Sequence, residues 1–166
     1  MNSLEILKTL LILLAASVTS SRGEDWPHWR GPHRNDLTAE RSRWKDGSWL
    51  HDKPLWQAAV GEGGTSPLVI GGKMYVMGWQ DGGDQVRCLD AKTGKPVWIA
   101  SYRCPQFARY AVGDKNAYSG PTSTPDYDGE TGYLYTLSCD GDLNCWDTAQ
   151  QGKRLWGMNL YDRFGV

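Results

Sequence analysis

The run Cys88-Leu89-Asp90-Ala91-Lys92-Thr93-Gly94-Lys95-Pro96-Val97-Trp98 joins two strand-like segments through an Asp-to-Gly turn and ends on a tryptophan. Its pattern returns as Cys145-Trp146-Asp147-Thr148-Ala149-Gln150-Gln151-Gly152-Lys153-Arg154-Leu155-Trp156, with one extra residue in the turn. A shorter echo, Lys53-Pro54-Leu55-Trp56, keeps only the lysine and the tryptophan. Recurrence at a spacing of tens of residues is the mark of a repeat architecture.

Working outward from the first copy, Ser66–Ile70 reads as a short strand and Gly71-Gly72 as a tight turn. Lys73–Met77 is a second strand, and a Gly/Asp loop over Gly78–Gln85 leads into Val86–Asp90, a third. The Thr93-Gly94 turn then opens a fourth strand, Lys95–Ala100. The series runs again from Ser123-Thr124-Pro125 through Gly132–Leu137, Leu143–Asp147 and Arg154–Gly157, with Asp140-Gly141 as a two-residue hairpin signal. Trp56 to Trp98 is a step of 42 residues, close to the roughly 40–45 of a four-stranded propeller blade. The step from Trp98 to Trp156 is 58, and the surplus falls mainly in Tyr102–Ser119. The expected fold is therefore all-β: a partial β-propeller of about two four-stranded antiparallel blades, near 65–100 and 121–157, plus an outer strand of another blade around Trp56.

Composition agrees with short strands and many turns. Among 166 residues there are twenty Gly, eight Pro, nine Trp and eight Tyr against two Phe. A formal net charge of -1 speaks against a nucleic-acid footprint or a polybasic membrane surface. Leu10–Val18 is an apolar run preceded by Lys8 and followed by Thr19-Ser20-Ser21, the layout of a secretory signal peptide, although Glu5 departs from a purely basic start. It is shorter than the about 20 residues a transmembrane helix needs. The expected organisation is a signal peptide over 1–23, an irregular Trp- and Arg-rich arm over 24–51 that packs its tryptophans on a neighbouring surface, and an incomplete propeller over 52–166. The expected location is periplasmic or extracellular.

The turn and its tryptophan resemble the docking motif of pyrroloquinoline-quinone-type propeller repeats, Ala-x-Asp-x-x-x-Gly-Lys-x-x-Trp. The first copy departs from it only in Cys88 for alanine, and the second has one inserted residue. Asp25-Trp-Pro-His-Trp-Arg-Gly-Pro32 is also similar to the start of mature secreted bacterial members. The resemblance implies a quinoprotein-dehydrogenase-like propeller, a family that includes cofactor-dependent alcohol and sugar dehydrogenases and an outer-membrane assembly scaffold. It further implies a structural docking role for Trp56, Cys88, Asp90, Gly94, Lys95, Trp98, Cys145, Asp147, Gly152, Lys153 and Trp156, each tryptophan lying on the next blade's turn. Closed propellers have four to eight blades, so two and a part suggest an N-terminal fragment of a longer one.

Fold does not settle function. Long connections often carry it, and Tyr102, Arg103, Phe107, Arg109 and Tyr110 in the insertion combine arginine with aromatics, the usual stock of interface hot spots. A loop that simply packs on its own propeller is the bland alternative. Cys88 and Cys145 read as small residues beneath a docked tryptophan, with redox or metal roles as rivals. Cys104, beside Pro105, is the thiol most open to chemistry, though an inert loop cysteine is the simpler reading. Asp126-Tyr-Asp128-Gly-Glu130 and Asp140-Gly-Asp142-Leu-Asn144 carry alternate oxygens but lack the glycine and flanking helices of a calcium loop, and read as hairpin turns. No catalytic, metal or cofactor residue is assigned. The expected function is an exported, non-catalytic scaffold or binding surface, with the remaining blades or another protein as partner. The alternative is a fragment of a quinone-dependent alcohol or sugar dehydrogenase.

Overall fold

The computed structural model describes residues 23–41, 53–109 and 117–165. The expected signal peptide lies, but for Gly23, outside the described residues. Among the described residues, eight strands form two four-stranded sheets. In the first, β1 (Leu68–Ile70), β2 (Lys73–Gln80), β3 (Gly83–Asp90) and β4 (Pro96–Arg103) pair antiparallel in chain order. In the second, β5 (Asp126–Asp128), β6 (Tyr133–Leu137), β7 (Asp142–Asp147) and β8 (Lys153–Asn159) do the same. A single-turn helix, α1 (Leu160–Phe164), follows β8; the Asn159 side chain accepts from the Asp162 N–H and Gly165 ends the turn in the left-handed region.

Equivalent rows cross both sheets. Tyr75 pairs with Cys88 and Cys88 with Trp98; Tyr135 pairs with Cys145 and Cys145 with Trp156. Two residues along each strand, Met77, Val86 and Ala100 match Leu137, Leu143 and Met158. The register shifts immediately after each cysteine, at Cys88/Leu89 and Cys145/Trp146, leaving Val97 and Leu155 as the extra residues. A bulge of this kind twists a strand and re-aims its side chains. Here it sits beside the tryptophan in both sheets.

The core lies between the sheets. Leu68, Tyr75, Met77, Val86, Cys88 and Trp98 of the first sheet cluster with Leu134 and Trp146 of the second, and Ile70, Ala100, Tyr102 and Tyr127 pack around them. Tyr75 stacks on Tyr127 at 6.0 Å between ring centroids, and its buried phenol is pushed up to about 12. Period-2 alternation puts these residues on one face of each strand, so one face of sheet one meets the opposite face of sheet two. Polar links reinforce the contact: Ser66 N–H donates to Thr124 Oγ1 (3.1 Å) and Gly64 N–H to Pro121 O (2.9 Å).

Three sequence expectations need correction. The Gly/Asp loop over Gly78–Gln85 is two strands joined at Asp81-Gly82, where both residues take positive φ (55° and 87°) as a two-residue hairpin turn requires. Glycine inside those strands marks close backbone approach. A Cβ on Gly78 would lie 2.1 Å from Val60 O, and one on Gly83 2.3 Å from Tyr102 O. Conversely, Asp140-Gly141 belongs to a wider connection, Ser138–Gly141, in which the Ser138 N–H donates to Asp142 O. The outer strand expected around Trp56 forms no ladder among the described residues, because a strand needs neighbours to pair with and none of its own blade is among them.

The arm, described over 24–41, attaches mainly through backbone and polar contacts. Trp26 and Val69 exchange N–H···O bonds (2.6 and 3.1 Å), and Asp25 accepts from the Gly71 N–H. Trp26 folds back over Gly31 of the arm itself, whereas Trp29 is 59% exposed. His28 Nδ1 bonds Asp126 Oδ1, and Arg34 Nη2 reaches both Asp126 oxygens at 3.1 and 3.0 Å. The arm thus bridges the first strands of both sheets.

Candidate functional site

The repeated turns are built alike. Asp90 Oδ1 accepts from the Thr93 N–H and hydroxyl, and these bonds hold its carboxyl below the usual range. Asp147 caps its own turn by accepting from the Ala149 and Gln150 N–H groups. Gly94 and Gly152 follow with φ of 69° and 70°. A Cβ on Gly94 would sit 2.4 Å from the Trp56 ring, and one on Gly152 2.5 Å from the Trp98 ring. Two demands therefore select glycine: the left-handed backbone and an indole face lying against the Cα. Lys95 and Lys153, next in the chain, are exposed at strand starts.

The two seats differ in one respect. Trp56 Nε1 donates to Ala91 O at 3.1 Å. Trp98 Nε1 is buried with no acceptor among the described residues. The second turn is one residue longer, Asp147–Gly152, and Gln151 in it takes a φ of 54°. Trp98 is 7% exposed, whereas Trp156, at the equivalent place on sheet two, is 42% exposed.

Among the described insertion residues, Tyr102 and Arg109 make separate contacts. Tyr102 turns inward, its ring 6.0 Å from that of Trp146 and its hydroxyl donating to Asp84 Oδ2 (2.9 Å). Arg109 clamps Asp140 through its N–H, Nε and Nη2, and reaches Asp162 with Nη1 at 2.7 Å. Phe107 is half-buried and Arg103 exposed, while Tyr110 lies outside the described residues. Gln106 accepts from the Gly120 N–H through its carbonyl and donates to Glu62. Over its described part the insertion packs on its own propeller.

Sequence reading missed Asp84. It is fully buried, one oxygen held by Tyr102 and the other without a partner among the described residues. Burial raises its carboxyl, outweighing the Tyr102 hydrogen bond. A raised native value means stability that is present below the ordinary value of 3.8 and lost as pH rises through the native one. Asp84→Asn, neutral throughout and still able to accept from Tyr102, should melt a few degrees above the parent at pH 8 and no higher at pH 4. Parallel melting-versus-pH curves would remove Asp84 as the source. The signal was in the sequence only as an aspartate two residues past the Asp81-Gly82 turn, inside a segment read as loop.

Cys104 is buried, and the neighbouring Cys139 thiol together with burial pushes its own thiol up, so it is the less reactive of the two. Asp128, in one of the two calcium-like strings, accepts from the Glu130 N–H and the Thr131 hydroxyl as a turn cap.

No family model matches the chain, and no curated protein matches it. Two solved structures are similar over part of their length. A europium-containing methanol dehydrogenase is 25% identical over 63% of this chain and 17% of its own, with a TM-score of 0.43. BamB from Moraxella catarrhalis is 23% identical over 64% of this chain and 31% of its own, with a TM-score of 0.39. The chain spans less than a third of either protein. Two consecutive four-stranded antiparallel sheets, with each of the first two tryptophans seated on the glycine of the turn that follows, make this chain a partial β-propeller.

Proposed function

We propose that the chain is part of an exported, non-catalytic β-propeller that works as a scaffold or binding surface, and that its immediate partner is a further blade. One observation carries this reading. The face of sheet two that holds Tyr135, Leu137, Leu143, Trp156 and Met158 is equivalent, row for row, to the face of sheet one buried under sheet two. On sheet two it lies open, with Trp156 and Met158 exposed. A contiguous apolar face of this kind on a repeat unit calls for a neighbour. The grouped charges, by contrast, serve the fold: Asp126 anchors the arm, Asp140 the insertion, and Asp90, Asp128 and Asp147 cap turns. No helix among the described residues is long and apolar enough to cross a membrane.

Solution mass measured across a concentration series tests the reading. The full chain should associate, and Trp156→Ala should weaken association at least about tenfold, the cost of a well-packed aromatic anchor. The same variant should shift the chain's own stability by no more than about 0.5 kcal/mol, as surface substitutions do. A parent chain that stays monomeric at every concentration would overturn the open-face reading. Dye reduction after adding pyrroloquinoline quinone and calcium would return the dehydrogenase alternative.

A further inference from the structure

Cys104 directly follows β4, and Cys139 sits in the connection between β6 and β7. The two are 35 residues apart in sequence, yet their sulfurs converge on one backbone oxygen. Cys104 Sγ and Cys139 Sγ each lie 3.5 Å from Pro105 O, and Cys139 Sγ is also 3.8 Å from Gln106 O. Two sulfurs that share an oxygen at that distance can be no further apart than twice it. The segments carrying them are fixed against each other. Arg109 clamps Asp140, the neighbour of Cys139, and Trp79 Nε1 donates to Cys104 O at 2.9 Å. All four cysteines are thiols in this structure.

We infer that Cys104 and Cys139 are a paired thiol site that closes to a disulfide, tying the end of the first blade to the β6–β7 connection of the second. The division of labour follows from access and charge. Cys139 is partly exposed, and its thiol is held below the usual value chiefly by the Cys104 thiol beside it. Cys104 is 5% exposed and pushed the other way. Cys139 is therefore the attacking sulfur and Cys104 the resolving one. The oxidant is an external disulfide, either a low-molecular-weight one or that of a disulfide-exchange enzyme. The Cys139 thiolate attacks one of its sulfurs, forming a mixed disulfide and releasing the first thiol. The Cys104 thiolate then attacks Cys139 Sγ and releases the second. Two electrons and two protons pass to the oxidant, which leaves as two thiols. Cys88 and Cys145 do not compete: both are wholly buried in strands, and burial raises both thiols.

The pairing is tested on the full chain by incubation with oxidised glutathione, acid quench, alkylation after unfolding, and peptide mass mapping. The expected result is one cross-linked peptide pair, Cys104 with Cys139, two hydrogens lighter than the reduced pair, with Cys88 and Cys145 alkylated. Cys104→Ser should leave a stable glutathione adduct on Cys139, and Cys139→Ser should abolish both cross-link and adduct. The same treatment of the urea-unfolded chain should scatter the pairings among all four cysteines. A native chain in which both thiols stay alkylatable, or in which Cys139 carries glutathione that Cys104 never displaces, overturns the inference. The mapping on the unmutated chain decides the matter even if a variant does not fold.

Discussion

Trp98→Ala is expected to lower the stability of the fold by about 3–5 kcal/mol, the range for removing a buried tryptophan. Trp98 ties the two sheets together: it pairs with Cys88 beside the bulge, packs 5.9 Å from Tyr75 between centroids, and covers Gly152 of the next blade. Burying an indole removes about 150–250 Å² from water, worth roughly 4–6 kcal/mol at about 25 cal/mol per Å² as an upper figure. The alanine variant loses most of this and leaves the blade interface with a void. Chemical denaturation should show the loss as a lower midpoint. A phenylalanine at the same position separates packing from hydrogen bonding. Trp98 Nε1 has no acceptor among the described residues, so Trp98→Phe discards an unpaired buried donor along with some area and should cost only about 1 kcal/mol. Trp56→Phe instead leaves Ala91 O without its donor, so hydrogen bonding adds to its cost where it subtracts at Trp98. A Trp98→Ala variant with an unchanged midpoint would sink interblade docking as a source of stability.

The blade count, strand order and seats of Trp56 and Trp98 were legible because each rests on local chemistry. A glycine in the left-handed region, an aspartate capping the turn and a tryptophan four residues past the glycine recur as a unit. A step of tens of residues between such units fits stacked repeats and little else. The Tyr75–Cys88–Trp98 row was half visible: the cysteine and tryptophan stood out, but the tyrosine joins them only once register is fixed, which depends on the bulge at Val97. The Gly78–Gln85 error shows the limit of turn chemistry. Glycine reads as loop until the carbonyls of Val60 and Tyr102, from distant segments, are seen pressing on Gly78 and Gly83. The insertion was the least legible part. Whether Arg109 faces a partner or Asp140 depends on a carboxylate 31 residues away, and nothing local to Tyr102–Arg109 announces it. The convergence of Cys104 and Cys139 was hidden for the same reason.

Asp140→Ala is expected to cost about 2–3 kcal/mol, and its pH dependence should identify the cause. The carboxylate is 8% exposed and takes three N–H donors from Arg109, from the backbone, Nε and Nη2. Hydrogen bonds to a charged group are worth about 1.5–3 kcal/mol. Arg109 is 35% exposed and shared with Asp162, so water and the second carboxylate discount the pair, and the value sits well below the sum of three such bonds. The Arg109 bonds hold the Asp140 carboxyl below its ordinary value of 3.8. A depressed native value makes this stabilisation fully present above the unfolded-state value, and it is lost as pH falls through the native one. The gap between parent and Asp140→Ala should therefore be constant from pH 5 to 8 and close below about pH 4, where the unfolded carboxyl takes up its proton. Asp84 runs the other way, its burial making the parent relatively weaker as pH rises. The double variant Asp84→Asn/Asp140→Ala should then respond less to pH than the parent does, over both limbs. A gap between parent and Asp140→Ala that persists unchanged at pH 3 would mean that the residue acts through the shape of the Ser138–Gly141 connection and not through the charge that Arg109 holds.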